Sequence, residues 1–468
     1  MTILSAMRWT PPALRLAAMA VGLSALTAAA DALHWRLGGW VLIGAFALAT
    51  LCALTAGRVA RLADRNVALL VILAGAAAVR LALLFSEPAL SSDIYRYIWD
   101  GRVQASGTNP YAHVPAAREL VPLRDADVWP RINRADYAVT IYPPVAQAVF
   151  FTVTRFGESV VAMKLGLLLF EAVGIAAIIA LLRRLGRPAT DVAAYAWHPL
   201  PAWEIAGNGH VDAAMLALLL AGLVAYLHGR TLAAGVLITL GALVKPLALL
   251  ALPVLWRPWD WRLPLCVLGT IALAYAPYLS VGSGVFAFVP GYLEEEGLAS
   301  GTGFKLLWLA QLATGPLRYG TAAYVAASAV ALCALALAAG FRSDRSAQAS
   351  LRAAAWLLVA FLVLISPNYP WYFLVLVPFL ALSPSTTAWV LTSASVLFYN
   401  VVPNDVLPAY EVRIALFTLA VVAALVHDLW TERHKALPVA VGETTLAIEP
   451  RPPRWSIRAA IMTASATT

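Results

Sequence analysis

Apolar stretches recur along almost the whole chain, and this pattern limits the fold more than any other feature. They lie near residues 13–30, 38–56, 67–85, 160–182, 189–205, 210–228, 231–256, 263–279, 319–340, 351–366, 371–383, 387–402 and 411–430. One helical crossing needs about 20 apolar residues. With 61% hydrophobic and 12% charged residues, the chain has too much apolar surface for water-soluble domains. We therefore predict an all-α polytopic membrane protein.

Basic connections between these runs predict the orientation of the chain, because cytoplasmic connections of membrane proteins are enriched in Lys and Arg. The basic clusters are Arg58, Arg61 and Arg65; Arg183, Arg184 and Arg187; Arg257 and Arg262; and Arg342 and Arg345. They share one side only if 231–256 forms two half-length helices that turn at Lys245-Pro246, where proline interrupts the helix. In addition, 143–155 must stay outside the bilayer or lie in its surface. The result is about 14 crossings with both termini in the cytoplasm.

The crossings are expected to form a single transmembrane domain over residues 1–430, followed by a basic cytoplasmic tail, 431–468, that is expected to be disordered. The segment 86–158 is the largest one outside the cytoplasm. Between Glu87 and Asp136 it contains 13 of the chain's 58 charged residues, the density of a soluble protein, which is about a quarter. Since transporters usually keep such loops short, this segment is predicted to carry chemistry.

This outer segment begins with a pattern typical of a helix that lies on the membrane surface. Asp93, Arg96, Tyr97 and Asp100 are spaced i, i+3, i+4 and i+7 and therefore share one helical face. Ser92 precedes them as a candidate N-cap. The helix dipole favours an ionised carboxylate in the first turn, so Asp93 could act as a general base toward a sugar hydroxyl. The alternative is that Asp93 only helps to cap the helix.

Two later turns complete an order of motifs that resembles a known superfamily. The first is Gly107-Thr108-Asn109-Pro110-Tyr111, and the second is Tyr142-Pro143-Pro144, which is expected to open a short helix. A carboxylate after an early span, followed by these two turns, is similar to the GT-C superfamily of membrane glycosyltransferases. The nearest group is the polyprenyl-phosphate-mannose-dependent mannosyltransferases, including glycosyltransferase family 87 and the mycobacterial α-mannosyltransferases. The resemblance extends from Ser91 to Tyr372.

The resemblance implies a fold, a reaction and a location. The fold would be of the GT-C type, with surface-lying helices in 86–158 and with Asp93 as the catalytic carboxylate; Asp100 is the second candidate for the base. A hexose, with mannose as the first choice, would pass from a polyprenyl-phosphate donor to a lipid- or glycan-linked acceptor, with inversion at the anomeric carbon. The site would face the periplasm or the cell exterior from the cytoplasmic (inner) membrane. No nucleic acid and no certain cofactor is implied, and the need for a divalent metal ion stays open.

Several cationic residues are predicted to bind the phosphate of the donor. His210 lies in the loop 207–212 at the start of a transmembrane helix, whose N–H groups attract anions. Lys245 lies at the turn between the half-length helices, where a buried amine needs an anionic partner. Arg96 and Arg102 are further candidates. The alternatives are an ordinary helix start at His210 and an amine that extends to the membrane interface at Lys245.

Aromatic and polar residues near the outer face are predicted to bind the sugar or the acceptor. The predicted set is Tyr97, Asn109, Tyr111, Tyr142, Asp212, Tyr369, Trp371 and Tyr372. The last three lie in Ser366–Tyr372, where sugars could stack on the rings or where the rings could form an ordinary interfacial belt. Glu294-Glu295-Glu296 is predicted to be a solvated acidic run rather than a metal site. Glu171, a polar residue within a span, is a candidate for function by default; the alternative is that it pairs with another helix.

Three other classes of protein remain as alternatives. One is a secondary transporter or lipid flippase with a site around Asp212 and Lys245, although no internal repeat is visible. The second is a GT-C relative that moves another sugar, such as glucose or arabinose, and the third is a noncatalytic scaffold. The chain lacks G-x-x-x-x-G-K-[ST], H-E-x-x-H and G-x-S-x-G, which argues against an ATPase, a zinc protease and a serine hydrolase.

Overall fold

The computed structural model describes residues 9–286, 288–399 and 409–436, and every regular element in these ranges is helical. Eight of the described helices are long and apolar enough to cross a membrane. They are Pro11–Leu37, Gly39–Ala60, Arg65–Leu84, Val160–Arg184, Arg262–Phe286, Gly320–Phe341, Ala347–Ile365 and Tyr410–Glu432. The chain is therefore an all-helical polytopic membrane protein, as predicted.

Six shorter apolar helices account for most of the other predicted runs within the described ranges. They are Pro144–Thr154, Asp212–Leu227, Thr231–Ala242, Pro246–Leu255, Pro370–Leu382 and Thr386–Phe398. Each is shorter than the roughly 20 residues of a full crossing. Helix length alone therefore does not establish the predicted number of crossings, which stays a prediction.

The run 231–256 has the predicted interruption. Thr231–Ala242 is α-helical, and after a short turn Pro246–Ala251 continues as a 3-10 helix. Lys245 is extended, with φ −143° and ψ 132°, because a residue before proline is disfavoured in the helical region. The prediction of two half-length helices that turn at Lys245-Pro246 is confirmed.

Two helices of the charged outer segment pack closely against each other. We call Asp93–Ala105 loop helix A and Pro144–Thr154 loop helix B; Pro143 stands at the N-cap of loop helix B, so the predicted helix start there is confirmed. A Cβ atom at Gly101 would lie 2.6 Å from the carbonyl oxygen of Phe150, so only glycine permits this approach. The Tyr97 ring stacks on Phe150 with centroids 4.4 Å apart.

Loop helix A is buried on both of its faces. Arg96, Tyr97 and Asp100 are no more than 4% exposed. Arg96 Nε donates to Asp100 Oδ1 at 2.8 Å, and Gln147 Nε2 donates to Asp100 Oδ2 at 3.1 Å. Loop helix B and the connection 106–143 therefore cover its polar face, and the prediction that this helix lies on a membrane surface stays a prediction.

A buried ion pair joins two of the long helices. Arg80 Nη2 lies 2.8 Å from Glu171 Oε1, and both side chains are almost fully buried. Arg80 Nη1 also donates to the carbonyl oxygen of Ala196, and the Tyr195 hydroxyl donates to Glu171 at 3.3 Å. Of the two interpretations of Glu171, the structure shows the pairing with another helix.

By contacts, the chain divides into a unit of Met1–Asp428 and a short unit of Leu429–Thr468. Of the second unit, the structure describes the end of the helix Tyr410–Ala436. The single transmembrane domain over 1–430 and the separate tail over 431–468 stay predictions. Residues 437–468, where the tail is expected to be disordered, lie outside the described residues.

Candidate active site

A cavity of about 1310 Å³ lies beside the start of loop helix A. Its walls come from five stretches of the chain, 88–93, 133–143, 244–250, 289–298 and 361–372. The wall is mostly apolar, and its charged residues are Asp93, Arg134, Lys245, Glu295 and Glu296. Small-molecule sites usually enclose about 300–1,000 Å³, so this cavity can hold a ligand larger than a single sugar.

Asp93 is the first residue of loop helix A and lines the cavity. Its Oδ1 accepts a hydrogen bond from Asn133 Nδ2 at 2.7 Å. Ser92 occupies the N-cap position, but its side chain makes no capping hydrogen bond. The backbone N–H of Asp93 instead donates to Ser91 Oγ at 3.2 Å. The carboxylate of Asp93 is thus oriented by Asn133 and remains accessible from the cavity.

Lys245 and Asp212 form an ion pair at the cavity wall. Nζ of Lys245 lies 2.5 Å from Oδ2 of Asp212, which is fully buried. Lys245 itself lines the cavity, with its amine 5.3 Å from the centre of the Tyr372 ring. The predicted anionic partner of this lysine is therefore present within the chain. A second anion that enters the cavity could still reach the amine.

His210 lies behind the cavity wall. Its ring stacks on Trp371 with centroids 4.3 Å apart, and Trp371 stacks on Tyr369 at 4.4 Å. Nε2 of His210 is 3.1 Å from Oε2 of Glu204, and both side chains are fully buried. Tyr369, at the other end of this row of rings, lines the cavity and is 37% exposed. Direct contact between His210 and a ligand would require Trp371 to move.

Three other predicted residues, Arg96, Asp100 and Arg102, do not line the cavity. Arg96 and Asp100 bind each other. Arg102, near the end of loop helix A, lies 2.8 Å from Glu158 and 2.5 Å from Asp125. All three therefore hold the outer segment together in this structure.

The predicted turn at 107–111 stabilises the surroundings of the cavity. Asn109 Oδ1 accepts a hydrogen bond from the backbone of Tyr111, and its Nδ2 donates to the carbonyl oxygen of Tyr278 at 3.1 Å. The Tyr111 hydroxyl donates to the carbonyl oxygen of Tyr142 at 2.7 Å. Neither Asn109 nor Tyr111 lines the cavity, whereas Tyr142 does.

Tyr142 presents a protonated hydroxyl group beside Asp93. Burial and then the charge of Asp93 raise the pKa of Tyr142 well above its ordinary value. The ring of Tyr97 packs edge-on against Tyr142 with centroids 5.0 Å apart and is itself buried behind the wall. The hydroxyl group of Tyr142 is therefore protonated at neutral pH and can donate a hydrogen bond.

The sequence pattern does not single out Arg134 or Asn133, which both line the cavity. Arg134 Nε donates to Glu295 Oε2 at 2.6 Å, and the hydroxyl of Tyr137 donates to Glu295 Oε1 at 2.9 Å. Arg134 is one of six arginines between Glu87 and Asp136. The charge density of this segment was the available signal, but it does not indicate which arginine faces the cavity.

The expectation of a solvated acidic run is wrong for Glu296. This residue is 6% exposed, and its carboxylate accepts a hydrogen bond from Asn368 Nδ2 at 3.0 Å. Burial raises the pKa of Glu296, against the opposing effects of Asn368 and of the nearby positive charge on Lys305. Glu295 is held by Arg134. The acidic run is part of the cavity wall because the stretch 289–298 folds onto it.

The described residues contain no group of three or more His, Cys, Asp or Glu side chains arranged to hold a metal ion. The question of a divalent metal therefore gains no candidate set of ligands from this part of the chain. The charged chemistry at the cavity comes from the residues named above.

The fold and the cavity define a polytopic helical membrane protein with three carboxylates, two cations and stacked aromatic rings around a largely apolar site. Residues 5–259, more than half of the chain, match a family model described as alpha-(1->6)-mannopyranosyltransferase, N-terminal domain. The chain belongs to this mannosyltransferase family, and the resemblance stated from the sequence is confirmed.

One curated relative shows how far the similarity extends. Over 185 residues, 38% of this chain, the sequence is 31% identical to alpha-(1->6)-mannopyranosyltransferase A of Mycobacterium tuberculosis. The aligned part covers 34% of that protein, so the match spans about a third of the relative's length. No solved structure matches the chain.

Proposed function

We propose that the chain is a membrane mannosyltransferase that moves mannose from a polyprenyl-phosphate donor to a lipid- or glycan-linked acceptor. One observation carries the proposal: the cavity brings Asp93, Lys245 and the rings of Tyr369–Tyr372 onto the walls of one apolar space. A base, a cation and a surface on which a sugar can stack are the groups that this reaction needs. The membership of the family supports the choice of mannose.

The chemical step uses Asp93 as a general base. Its carboxylate accepts the proton of the acceptor hydroxyl while that oxygen forms a bond to the anomeric carbon of the donor. The bond between the anomeric carbon and the phosphate oxygen breaks, and the phosphate leaves with the bonding electrons. Direct attack from the opposite face inverts the anomeric carbon. Asn133 keeps the carboxylate in place through its hydrogen bond.

The negative charge on the leaving phosphate is stabilised by Lys245. A preorganised cation in an apolar site stabilises charge more strongly than one in water. Its present partner, Asp212, is fully buried, whereas the Lys245 side chain is 11% exposed, so the amine can bind a phosphate while it stays near Asp212. His210 supports this part of the wall through its contact with Trp371.

The remaining parts of the donor fit other parts of the cavity. Leu247, Leu249, Leu250 and Phe361 provide an apolar surface for the polyprenyl chain, and Leu249 is 41% exposed. The ring of Tyr369, fixed by its stacking on Trp371, offers an apolar face to the C–H groups of a sugar.

The proposal includes a GT-C-type arrangement of about 14 crossings in the cytoplasmic membrane, with the cavity facing the periplasm or the cell exterior. Contacts between the predicted cytoplasmic arginines and neighbouring connections support their location on the same side of the membrane. Arg61 and Arg187 both bind Asp191, and Arg342 and Arg345 donate to carbonyl oxygens of residues 254–256. The remaining crossings would come from the run 189–205 and from the shorter apolar helices other than Pro144–Thr154.

An Asp93→Asn variant tests this proposal. Purified protein is incubated with radiolabelled mannosyl and glucosyl polyprenyl phosphates together with membrane lipid and glycan acceptors, and the labelled products are extracted. Loss of the base should lower turnover by at least about 10²-fold, while the labelled donor lipid still binds. Asp136→Asn, an exposed change in the same segment, is the matched control and should leave turnover unchanged.

The same experiment separates the alternatives. Product from the glucosyl donor alone would indicate a different sugar. If Asp93→Asn retained the turnover of the unchanged protein, the proposed mechanism would be wrong. A transporter or flippase with its site around Asp212 and Lys245 would move labelled lipid across vesicle membranes and form no new glycosidic bond.

A further inference from the structure

A contact between distant parts of the sequence lies where the cavity meets the protein surface. Arg134 and Tyr137 of the first outer segment both bind Glu295, the last residue of the helix Val289–Glu295. We call this contact the clasp. Arg134, Tyr137 and Glu295 all line the cavity, yet the Arg134 and Glu295 side chains remain 21% and 29% exposed. The clasp therefore borders both the cavity and the solvent.

The two cations on the described cavity wall are both paired with carboxylates, but the pairs differ. Lys245 binds Asp212, which is fully buried. Arg134 binds Glu295, which is partly exposed at the end of a seven-residue helix. Water can solvate a partly exposed carboxylate when its cationic partner leaves, so breaking such a pair costs less than breaking a buried one. The Arg134–Glu295 pair is therefore the easier of the two to exchange.

The backbone at Arg134 holds the guanidinium in this position at an energetic cost. Arg134 has φ +53°, a left-handed conformation that is unusual for residues other than glycine, asparagine and aspartate. Its guanidinium also interacts with the charge of Asp93. Backbone strain of this kind is concentrated at binding and catalytic sites. This left-handed residue holds a planar cation at the cavity wall, where it binds Glu295.

We propose that Glu295 is a placeholder for the donor phosphate, and that Arg134 exchanges Glu295 for the phosphate oxygens, which it binds together with Lys245. This inference rests on the proposed function. A guanidinium binds phosphate through two parallel N–H···O bonds, and a carboxylate is its nearest equivalent within the chain. In the empty cavity Glu295 keeps Arg134 paired; on donor binding, the clasp between the two outer segments opens.

The exchange can be measured without any sugar transfer. The probe is farnesyl phosphate, which has a phosphate and a short prenyl chain but no sugar, and its binding to the full chain in nanodiscs is measured by titration calorimetry at fixed salt. Arg134→Gln should weaken binding about tenfold. Glu295→Gln should strengthen it several-fold, because the competing carboxylate is gone. Tyr137→Phe removes only the hydroxyl contact and should change binding little.

A double variant distinguishes exchange from simple repulsion. If Glu295 competes for Arg134, Glu295→Gln should have no effect once Arg134→Gln is present. Equal strengthening in both backgrounds would mean that Glu295 only repels the phosphate, and the inference would be wrong. Weakening by Glu295→Gln, or no effect of Arg134→Gln, would also overturn it.

Two controls show that the variants fold and that a failure of the exchange can be told apart from a failure of the proposed sugar transfer. Each variant is checked for its size-exclusion profile and thermal midpoint, and Arg134→Lys replaces Arg134→Gln if the latter does not fold; it should bind more weakly because lysine lacks the two-pronged geometry. The proposed mannosyl transfer could fail while farnesyl phosphate still follows this pattern. Conversely, mannosyl transfer could occur while the Arg134 and Glu295 variants bind farnesyl phosphate as the unchanged protein does. That result would overturn only the proposed exchange of Glu295 for phosphate.

Discussion

A single glycine allows the segment that contains His210 and Asp212 to approach loop helix A. Gly209 has φ +72°, and a Cβ atom there would collide with the side chain of Ile94. Both the backbone and the space therefore disfavour any other residue. Gly107 has a similar φ of +82° but has open space where a Cβ would be.

These two glycines give a matched test. Gly107→Ala should destabilise the protein by about 1 kcal/mol, the cost of the left-handed backbone alone. Gly209→Ala should cost at least about 2 kcal/mol more, because Ile94 must also move. Thermal unfolding of the purified protein in one detergent measures both. If both variants lost the same unfolding free energy, Ile94 would move away at no cost, and the prediction would be wrong.

Individual residues of the site could be predicted from the sequence only in part. Asp93, Lys245 and Tyr369 line the cavity, and each stood out as a polar or aromatic residue in a motif or at an expected membrane edge. Arg96 shares the helical spacing of Asp93 but binds Asp100 instead. Spacing shows which side chains share a face; it does not show whether they bind each other or a ligand.

Among the elements, the helix Lys305–Thr314 is fixed to the aromatic segment by its first side chain. Lys305 Nζ donates to the carbonyl oxygen of Ser366 at 2.7 Å and to Asn368 Oδ1 at 2.8 Å. Asn368 in turn donates to Glu296. This chain of contacts joins the acidic run to the start of the row of rings at the cavity.

The buried amine of Lys305 predicts a dependence of stability on pH. Burial lowers its pKa to about 8, against the opposing charge of Glu296, whereas the unfolded chain has the ordinary value of about 10.4. Between these values the unfolded state binds more protons, so this group increases the free energy of unfolding as the pH rises above 8. Unfolding midpoints measured from pH 7 to 10 should show a smaller rise in Lys305→Met than in the unchanged protein. An identical rise would contradict the assignment.

The elements were easier to predict than their burial. The break at Lys245-Pro246 and the start of loop helix B follow from proline, a local signal. The π-helix Ala202–Gly207 begins in the run 189–205, which is predicted as one span; Pro201 precedes it, but proline does not distinguish a π-helix from an ordinary helix start. The burial of loop helix A depends on the connection 106–143, whose turns have no periodic pattern. Its position over loop helix A depends on contacts between segments far apart in sequence, which a local pattern does not indicate.

At the scale of the whole molecule, the Arg80–Glu171 pair joins the helices Arg65–Leu84 and Val160–Arg184. Arg80 also donates a hydrogen bond to the carbonyl oxygen of Ala196. Arg80→Met should destabilise the protein by about 3–5 kcal/mol, because Glu171 would remain buried without a cation. The double variant with Glu171→Met should recover most of this loss. Thermal unfolding of the three proteins checks the prediction; additive losses would contradict it.

The cavity wall uses stretches of sequence that extend from residue 88 to residue 372, and this has a consequence for biosynthesis. When the ribosome has completed the part that matches the family model, residues 5–259, the stretches 289–298 and 361–372 have not been made. The nascent chain then has Asp93 and Lys245 but neither Glu295 nor the stacked rings. Under the proposed function, the early helices therefore insert and associate before the donor site is complete, and the complete site forms only after translation has passed Tyr372.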